Sequence, residues 1–309
     1  MTKKIEDKLV KIPVVNWMVA FGKKIKIPGL EGMSLYDVLE MYVIGIVKGA
    51  LTTRAGGIAF SFFMAIFPFM LFILSLIPYM PIDGFQENLF WLIQEMLPPK
   101  TFEAVNGVLK DIINNQYGGL LSFGFLASIF LMTNGVNAIF GGFEYSYHVK
   151  EMRSVFRAYF ISLGVSLLMS LFLIVTVVLI IFYQVALARI DKAGWLDTSD
   201  LNLFYWGRGF LFLIMIFTIV SLLFRFGTKQ GKEVRFFSPG AILTTLLSLF
   251  TFYLFGIYVV KFATYNQLYG SIGTLLVLML FVWLNAIILL LGFELNATIY
   301  RLKRRNKTL

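Results

Sequence analysis

Six stretches that contain no Asp, Glu, Lys, Arg or His divide this chain. They are Ala55–Ile82, Tyr117–Phe143, Tyr159–Ala188, Gly209–Phe224, Phe236–Val260 and Phe262–Phe293. A helix that crosses a bilayer needs about 20 mostly apolar residues. Five of the stretches exceed that length. The fourth lies between Arg208 and Arg225, and both arginines can reach the headgroups and lengthen it. A helix satisfies its own backbone polar groups, so it is the spanning element this pattern allows. The expected class is therefore an all-α, polytopic membrane protein with six transmembrane helices.

Only 14% of the 309 residues are charged, against about 25% in soluble domains. Too few residues lie outside the spans to build a second large domain. The division expected is a basic segment over 1–34, one six-helix membrane domain over 35–300 and a basic tail over 301–309.

The net charge of +10 is distributed by side. Residues 1–57, the second and fourth connections and the tail hold most of the 27 Lys and Arg. Only Lys100, Lys110, Arg189, Lys192, Arg208 and Lys261 fall on the other side. The positive-inside rule then places both termini in the cytoplasm. The basicity is a topology signal, and no nucleic-acid partner is expected, since phosphate-backbone binding needs a concentrated basic surface. The partners expected are membrane lipids and an amphiphilic or lipid-linked substrate.

Outside the spans, Leu35, Val38, Leu39, Tyr42, Val43, Ile46, Val47 and Leu51 repeat at helical spacing, with Asp37, Glu40 and Lys48 opposite. Ser34 is the expected N-cap. This reads as an amphipathic cytoplasmic helix, lying along the interface or against the bundle. Residues 83–116 carry two helical patterns separated by Pro98-Pro99, which predicts a helical hairpin on the outer face between spans one and two. Residues 189–208 read as a polar outer loop with Trp195 and Trp206 as interface anchors. Ser238-Pro239 reads as a cap and first helical position. Spans five and six must form a hairpin about a turn at Tyr265–Gly270.

The unusual residues sit at the ends of the spans. Arg54 precedes span one, and Pro68 bends its middle. Asn134 and Asn137 share a face late in span two, with Glu144 beyond them. Tyr258, Tyr265, Asn266 and Tyr269 gather at the outer end of the last hairpin. Glu294 and Asn296 stand at the inner end of span six, with Asn285 deeper. Buried amides and carboxyls need partners, so these residues face the bundle or a wet cavity. The plain reading is interhelical hydrogen bonding, with Glu294 paired to Arg54 or Arg301. The functional one is a shared substrate path. His148, the only histidine, lies beside charged residues and reads as solvated.

No catalytic constellation stands out. With no cysteine and one histidine there is no thiol chemistry and no metal-ligand cluster, and no phosphate loop occurs. No cofactor, metal or catalytic residue is expected, and the chain reads as a non-enzyme.

These motifs carry a resemblance. The run from Arg54 through Phe63 to Phe67-Pro68 looks like the opening motif of the YihY/BrkB family of bacterial inner-membrane proteins. Asn134-Gly-Val-Asn-Ala-Ile-Phe, Ser238-Pro-Gly-Ala, Tyr265-Asn-Gln-Leu-Tyr-Gly-Ser-Ile-Gly and Leu291-Gly-Phe-Glu-Leu-Asn resemble its later motifs, in order, over about residues 35–300. At Gly56-Gly57 that family more often has alanines, which loosens the expected start of the first span. The resemblance implies six spans with cytoplasmic termini. Members have carried a tRNA-processing ribonuclease label, and others are linked to virulence, serum resistance and envelope-lipid export. RNA hydrolysis needs a bound metal or a placed acid and base, and the sequence offers neither. The reading is thus a transporter, exporter or flippase-like protein for an amphiphilic or lipid-linked envelope substrate. The alternative is a non-transporting scaffold of envelope biogenesis. A cavity between spans one, two, five and six would favour the first, a solid core with a flat apolar patch the second.

Overall fold

A computed structural model describes residues 34–79, 99–149, 151–192, 201–261 and 271–306, with the single positions 24, 90 and 94. The described residues form helices α1 (Leu35–Lys48), α2 (Leu51–Leu76), α3 (Pro99–Asn114), α4 (Gly118–Glu144), α5 (Val155–Lys192), α6 (Leu201–Phe226), α7 (Pro239–Lys261) and α8 (Ser271–Asn306), with short 3-10 turns at Ile77–Tyr79 and Lys229–Glu233. Six of them, α2 and α4 to α8, are long and apolar enough to cross a membrane. The fold is the all-helical, six-span architecture read from the sequence.

The spans pack as a ring in chain order. Helix α2 lies against α4, α4 against α5, α5 against α6, α6 against α7 and α7 against α8, and α8 returns to α2. Helix α1 stands outside the ring and leans on α8, with Val38 and Leu302 buried at the contact. Its start is a capping box. The Ser34 hydroxyl accepts from the Asp37 N–H, and the Asp37 carboxylate accepts from the Ser34 N–H at 2.9 Å.

Several helix ends differ from the sequence expectation. Helix α6 begins at Leu201 and includes Trp206 and Arg208, and α5 runs on to Lys192, so the expected loop over 189–208 is largely helical. Charge ends an apolar run, but it does not end a helix that has left the hydrocarbon. For the same reason α8 continues through Arg301, Lys303, Arg304 and Arg305. Helix α2 passes without a break through Gly56-Gly57 and Pro68, so the start of the first span is not loosened. Of the hairpin expected on the outer face, the second helical pattern is α3, which buries Leu109, Ile112 and Ile113. The first arm and the turn at Tyr265–Gly270 lie outside the described residues.

The core is lopsided. Its members are Leu51, Ala55 and Ile58 at the start of α2, and Val136, Ile139, Phe140 and Phe143 at the end of α4. Val165 and Met169 come from early α5, Ile216 to Phe224 from late α6, Ala241 from the start of α7, and Ala286 to Phe293 from the inner part of α8. All of these lie toward one end of the ring, the end that carries most of the basic side chains. Phe143 stacks on Phe293 with ring centres 4.2 Å apart, and Phe224 meets both rings edge-on or tilted. Toward the opposite end no described residue is buried between Leu249 and Tyr258 of α7, or between Leu275 and Asn285 of α8.

Candidate functional site

Where α2, α4 and α8 meet at the basic end, the packing encloses charge. The Arg54 side chain is 7% exposed and the Glu294 side chain 0%. Arg54 Nη2 donates to Glu294 Oε1 at 2.7 Å, and Nη1 donates to the Gly142 carbonyl at 2.7 Å. The second carboxylate oxygen of Glu294 accepts from the Ser146 hydroxyl at 2.8 Å. Arg54 Nε, also buried, has no partner among the described residues. Helix geometry explains the meeting. Arg54 is one turn into α2, the C-terminal carbonyls of α4 point toward it, and Glu294 sits where α8 crosses both. A buried charge is tolerated only when it is paired and hydrogen-bonded, and this pair is both.

A second layer covers the pair. His148, in the turn after α4, is buried at 6% exposure, which corrects its expected solvation. Its Nδ1 accepts from Arg301 at 3.1 Å, and its Nε2–H donates to the Met41 carbonyl at 3.2 Å. That arrangement needs the neutral ring, since Nδ1 faces a guanidinium. Burial accordingly pushes the His148 pKa down, and the Arg301 charge adds to that against an opposing pull from Glu294. The Tyr42 hydroxyl donates to the Leu291 carbonyl at 3.2 Å. Burial first, and the Glu294 charge second, push its pKa up to about 12. Gly45 lets α1 come this close: a Cβ there would sit 2.6 Å from His148 Nε2 and 3.0 Å from Glu294 Oε2.

The other expected residues fall into separate groups. Glu144 is buried and accepts from the Arg153 N–H at 3.2 Å, while the Arg153 guanidinium donates to the Phe226 carbonyl and, at 2.6 Å, to the Thr228 carbonyl. Asn296 locks α7 to α8: its Oδ1 accepts from the Gly240 N–H at 2.9 Å and its Nδ2 donates to Ser238 Oγ at 2.9 Å. Ser238 also caps α7, accepting from the Ala241 N–H at 3.2 Å. Gly240 and Gly292 face each other at this crossing so closely that neither has room for a Cβ. Asn137 accepts one bond, at 3.3 Å, from Ser162 of α5. Asn285 donates back to the Phe281 carbonyl at 2.9 Å. Asn134 is half-buried, Pro68 lies mid-helix, and Tyr258 stacks near Phe255. Tyr265, Asn266 and Tyr269 lie outside the described residues.

Of the described members of the expected set, then, only Arg54 and Glu294 come into direct contact. Sequence reasoning missed Ser146, His148 and Tyr42 as their companions. The signal for Tyr42 was its place on the apolar face of α1. Ser146 and His148 sit in a turn whose polarity reads as exposure. Among the described residues no group of three or more metal-ligating side chains occurs.

A family model described as Virulence factor BrkB matches residues 45–308. The chain is 31% identical over 257 residues to a putative ribonuclease-like protein, YfkH, of Bacillus subtilis strain 168, which covers 82% of this chain and 91% of that one. It is 25% identical over 263 residues to a UPF0761 membrane protein of Aliivibrio salmonicida, covering 82% and 80%. A UPF0761 membrane protein of Coxiella burnetii is 25% identical over 246 residues, covering 77% and 84%. No solved structure matches.

Proposed function

The chain belongs to the virulence-factor BrkB family of membrane proteins, and from that premise we propose that it is a bacterial inner-membrane transporter, exporter or flippase-like protein for an amphiphilic or lipid-linked envelope substrate, and not an enzyme. The observation that carries this reading is the uneven packing of the ring. Its basic end is shut by the Phe143, Phe224 and Phe293 rings and by the Arg54–Glu294 pair, while no described residue is buried between Leu249 and Tyr258 of α7 or between Leu275 and Asn285 of α8. A scaffold gains nothing from an α7–α8 pair that is packed at one end and sparsely packed further along. A transporter needs such an asymmetry, because alternating access requires one side to be sealed while the other is open.

The orientation follows from charge. The sealed, basic end faces the cytoplasm, where Lys and Arg accumulate in short connections. Of the expected path residues, Asn134 and Asn137 precede the sealing Phe143 along α4, and Glu294 forms part of the seal. No nucleotide-binding loop is present in the sequence, so net movement draws on an ion gradient or a partner protein.

Reconstitution tests this reading. Purified protein is placed in vesicles carrying a trace of lipid labelled on one acyl chain with a dithionite-reducible fluorophore, in phosphatidylglycerol and, separately, in phosphatidylethanolamine. Wild-type protein should expose inner-leaflet label several-fold faster than protein-free vesicles. Folded protein that leaves the rate at the protein-free value with both lipids would favour the scaffold.

A further inference from the structure

At the basic end of the ring, α5 and α6 part to leave an open groove of about 570 Å³ whose lining includes the exposed Arg157, Gly164, Leu168 and Arg225. That volume lies within the ~300–1,000 Å³ of small-molecule sites. Its rim is basic. Arg153 and Arg157 come from the start of α5, and Arg225 and Lys229 from the end of α6 and the turn after it. Its floor is apolar, running from Ile161 past Gly164 to Leu168 along α5, about two to four turns into the span. Charge is thus placed at headgroup depth and hydrocarbon below it, the layering of a lipid.

We propose that this groove holds one anionic glycerophospholipid of the leaflet at the basic end, its phosphate among the four cations and one acyl chain along Gly164 and Leu168. Charge complementarity selects this occupant. Two carboxylates lie nearby: Glu144 accepts from the Arg153 backbone, and Glu151 stands 3.8 Å from Lys229 on the exposed surface. Four cations against two carboxylates leave an excess that a phosphate diester neutralises and a zwitterionic headgroup neutralises only in part. Arg153 is already fixed, because its guanidinium donates to the carbonyls of Phe226 and Thr228 and ties the two walls together. Burial pushes its pKa down from the usual arginine value, against the pull of the Glu144 charge. Arg157 and Arg225 are exposed and can offer planar, bidentate donor pairs to phosphate oxygens. Gly164 gives the chain its room: it is exposed, and a Cβ added there meets nothing within 4 Å. A larger residue at 164 would occupy the space the acyl chain needs, with no change in charge.

The site is independent of transport, since a resident lipid and a moving substrate both fit it. Detergent-solubilised full-length protein is titrated into phosphatidylglycerol carrying a fluorophore on one acyl chain, and anisotropy is read. Unlabelled phosphatidylglycerol should compete. Phosphatidylcholine and glycerol 3-phosphate should compete at least tenfold less well. The double variant R157Q/R225Q should weaken binding about tenfold or more and flatten its salt dependence. The variant G164L should weaken it several-fold and leave the salt dependence unchanged. Both variants remove or add side chains on an exposed face, and unchanged thermal midpoints in detergent confirm that they fold. Equal competition by phosphatidylcholine would overturn the proposal, as would equal competition by glycerol 3-phosphate. So would wild-type affinity in the folded variants.

Discussion

Replacing Glu294 with Leu puts the buried charge to a quantitative test. The change leaves Arg54 with the Gly142 carbonyl at 2.7 Å as its one remaining partner and with a side chain only 7% exposed. An unpaired buried charge costs about 3–5 kcal/mol. The Ser146 hydroxyl also loses its acceptor, which adds about 1 kcal/mol. The double variant Arg54→Met/Glu294→Leu removes both charges and keeps the volume, so it should recover most of that loss, since well-packed apolar replacements of a buried pair are often neutral or stabilising. The assay is reversible unfolding in mixed micelles of increasing SDS content, followed by far-ultraviolet circular dichroism, on wild type, both single variants and the double. The coupling energy of the cycle should be at least about 2 kcal/mol. A single variant costing under ~1 kcal/mol would refute the reasoning, because water would then have to reach Arg54. Additive losses in the double variant would refute it equally.

Four further outcomes follow. The folded state disfavours protonated His148, so its pKa lies below the unfolded value of about 6.5. The unfolded chain therefore takes up the proton first, and the thermal midpoint in detergent should fall as pH drops below about 6.5. His148→Gln should flatten that fall, and an equally steep fall in the variant would contradict the assignment. Gly45→Val should destabilise by about 1–3 kcal/mol by overpacking against His148 and Glu294, whereas a surface helix would gain or be unchanged in the same SDS titration. Asn137→Leu loses one 3.3 Å bond from a hydroxyl that keeps the Ala158 carbonyl, so stability should change by about 1 kcal/mol or less. The rate of label exposure in vesicles should nevertheless fall at least tenfold, and a wild-type rate would remove Asn137 from the path. In this cysteine-free chain, single cysteines at Asn88 and Ser199 should react with an impermeant reagent added outside intact cells, and cysteines at Lys23 and Lys229 should not; the reverse pattern would invert the orientation.

The spans were legible because charge inside hydrocarbon is costly and the chain avoids it for six long runs. Their ends were less so. Arg208 interrupts the apolar run but not the hydrogen-bond ladder of α6, and the basic run from Arg301 to Arg305 likewise rides on a continuing helix. At the site, Arg54 and Glu294 stood out as charges at span ends, yet the sequence left two partners open for Glu294. The choice of Arg54 over Arg301 depends on α2 and α8 closing the ring, a contact between residues 240 positions apart. His148 was misread for a related reason. A histidine beside lysine and glutamate looks wet until α1 folds over it, and that closure rests on the missing side chain of Gly45, which no periodicity reveals.

The ring order also bears on biogenesis. As the chain is made, each new span meets the one before it, and α8 then joins the two ends by packing on α2, with further contacts to α1 and α4. Until that last helix arrives, the positive charge on Arg54 has no carboxylate at its side and is held at the headgroups. Insertion of α8 brings Glu294 to its side as the core around Phe143 and Phe293 closes. A chain shortened before Glu294 would carry five well-formed spans and an unlatched arginine, a combination that membrane quality control is equipped to find.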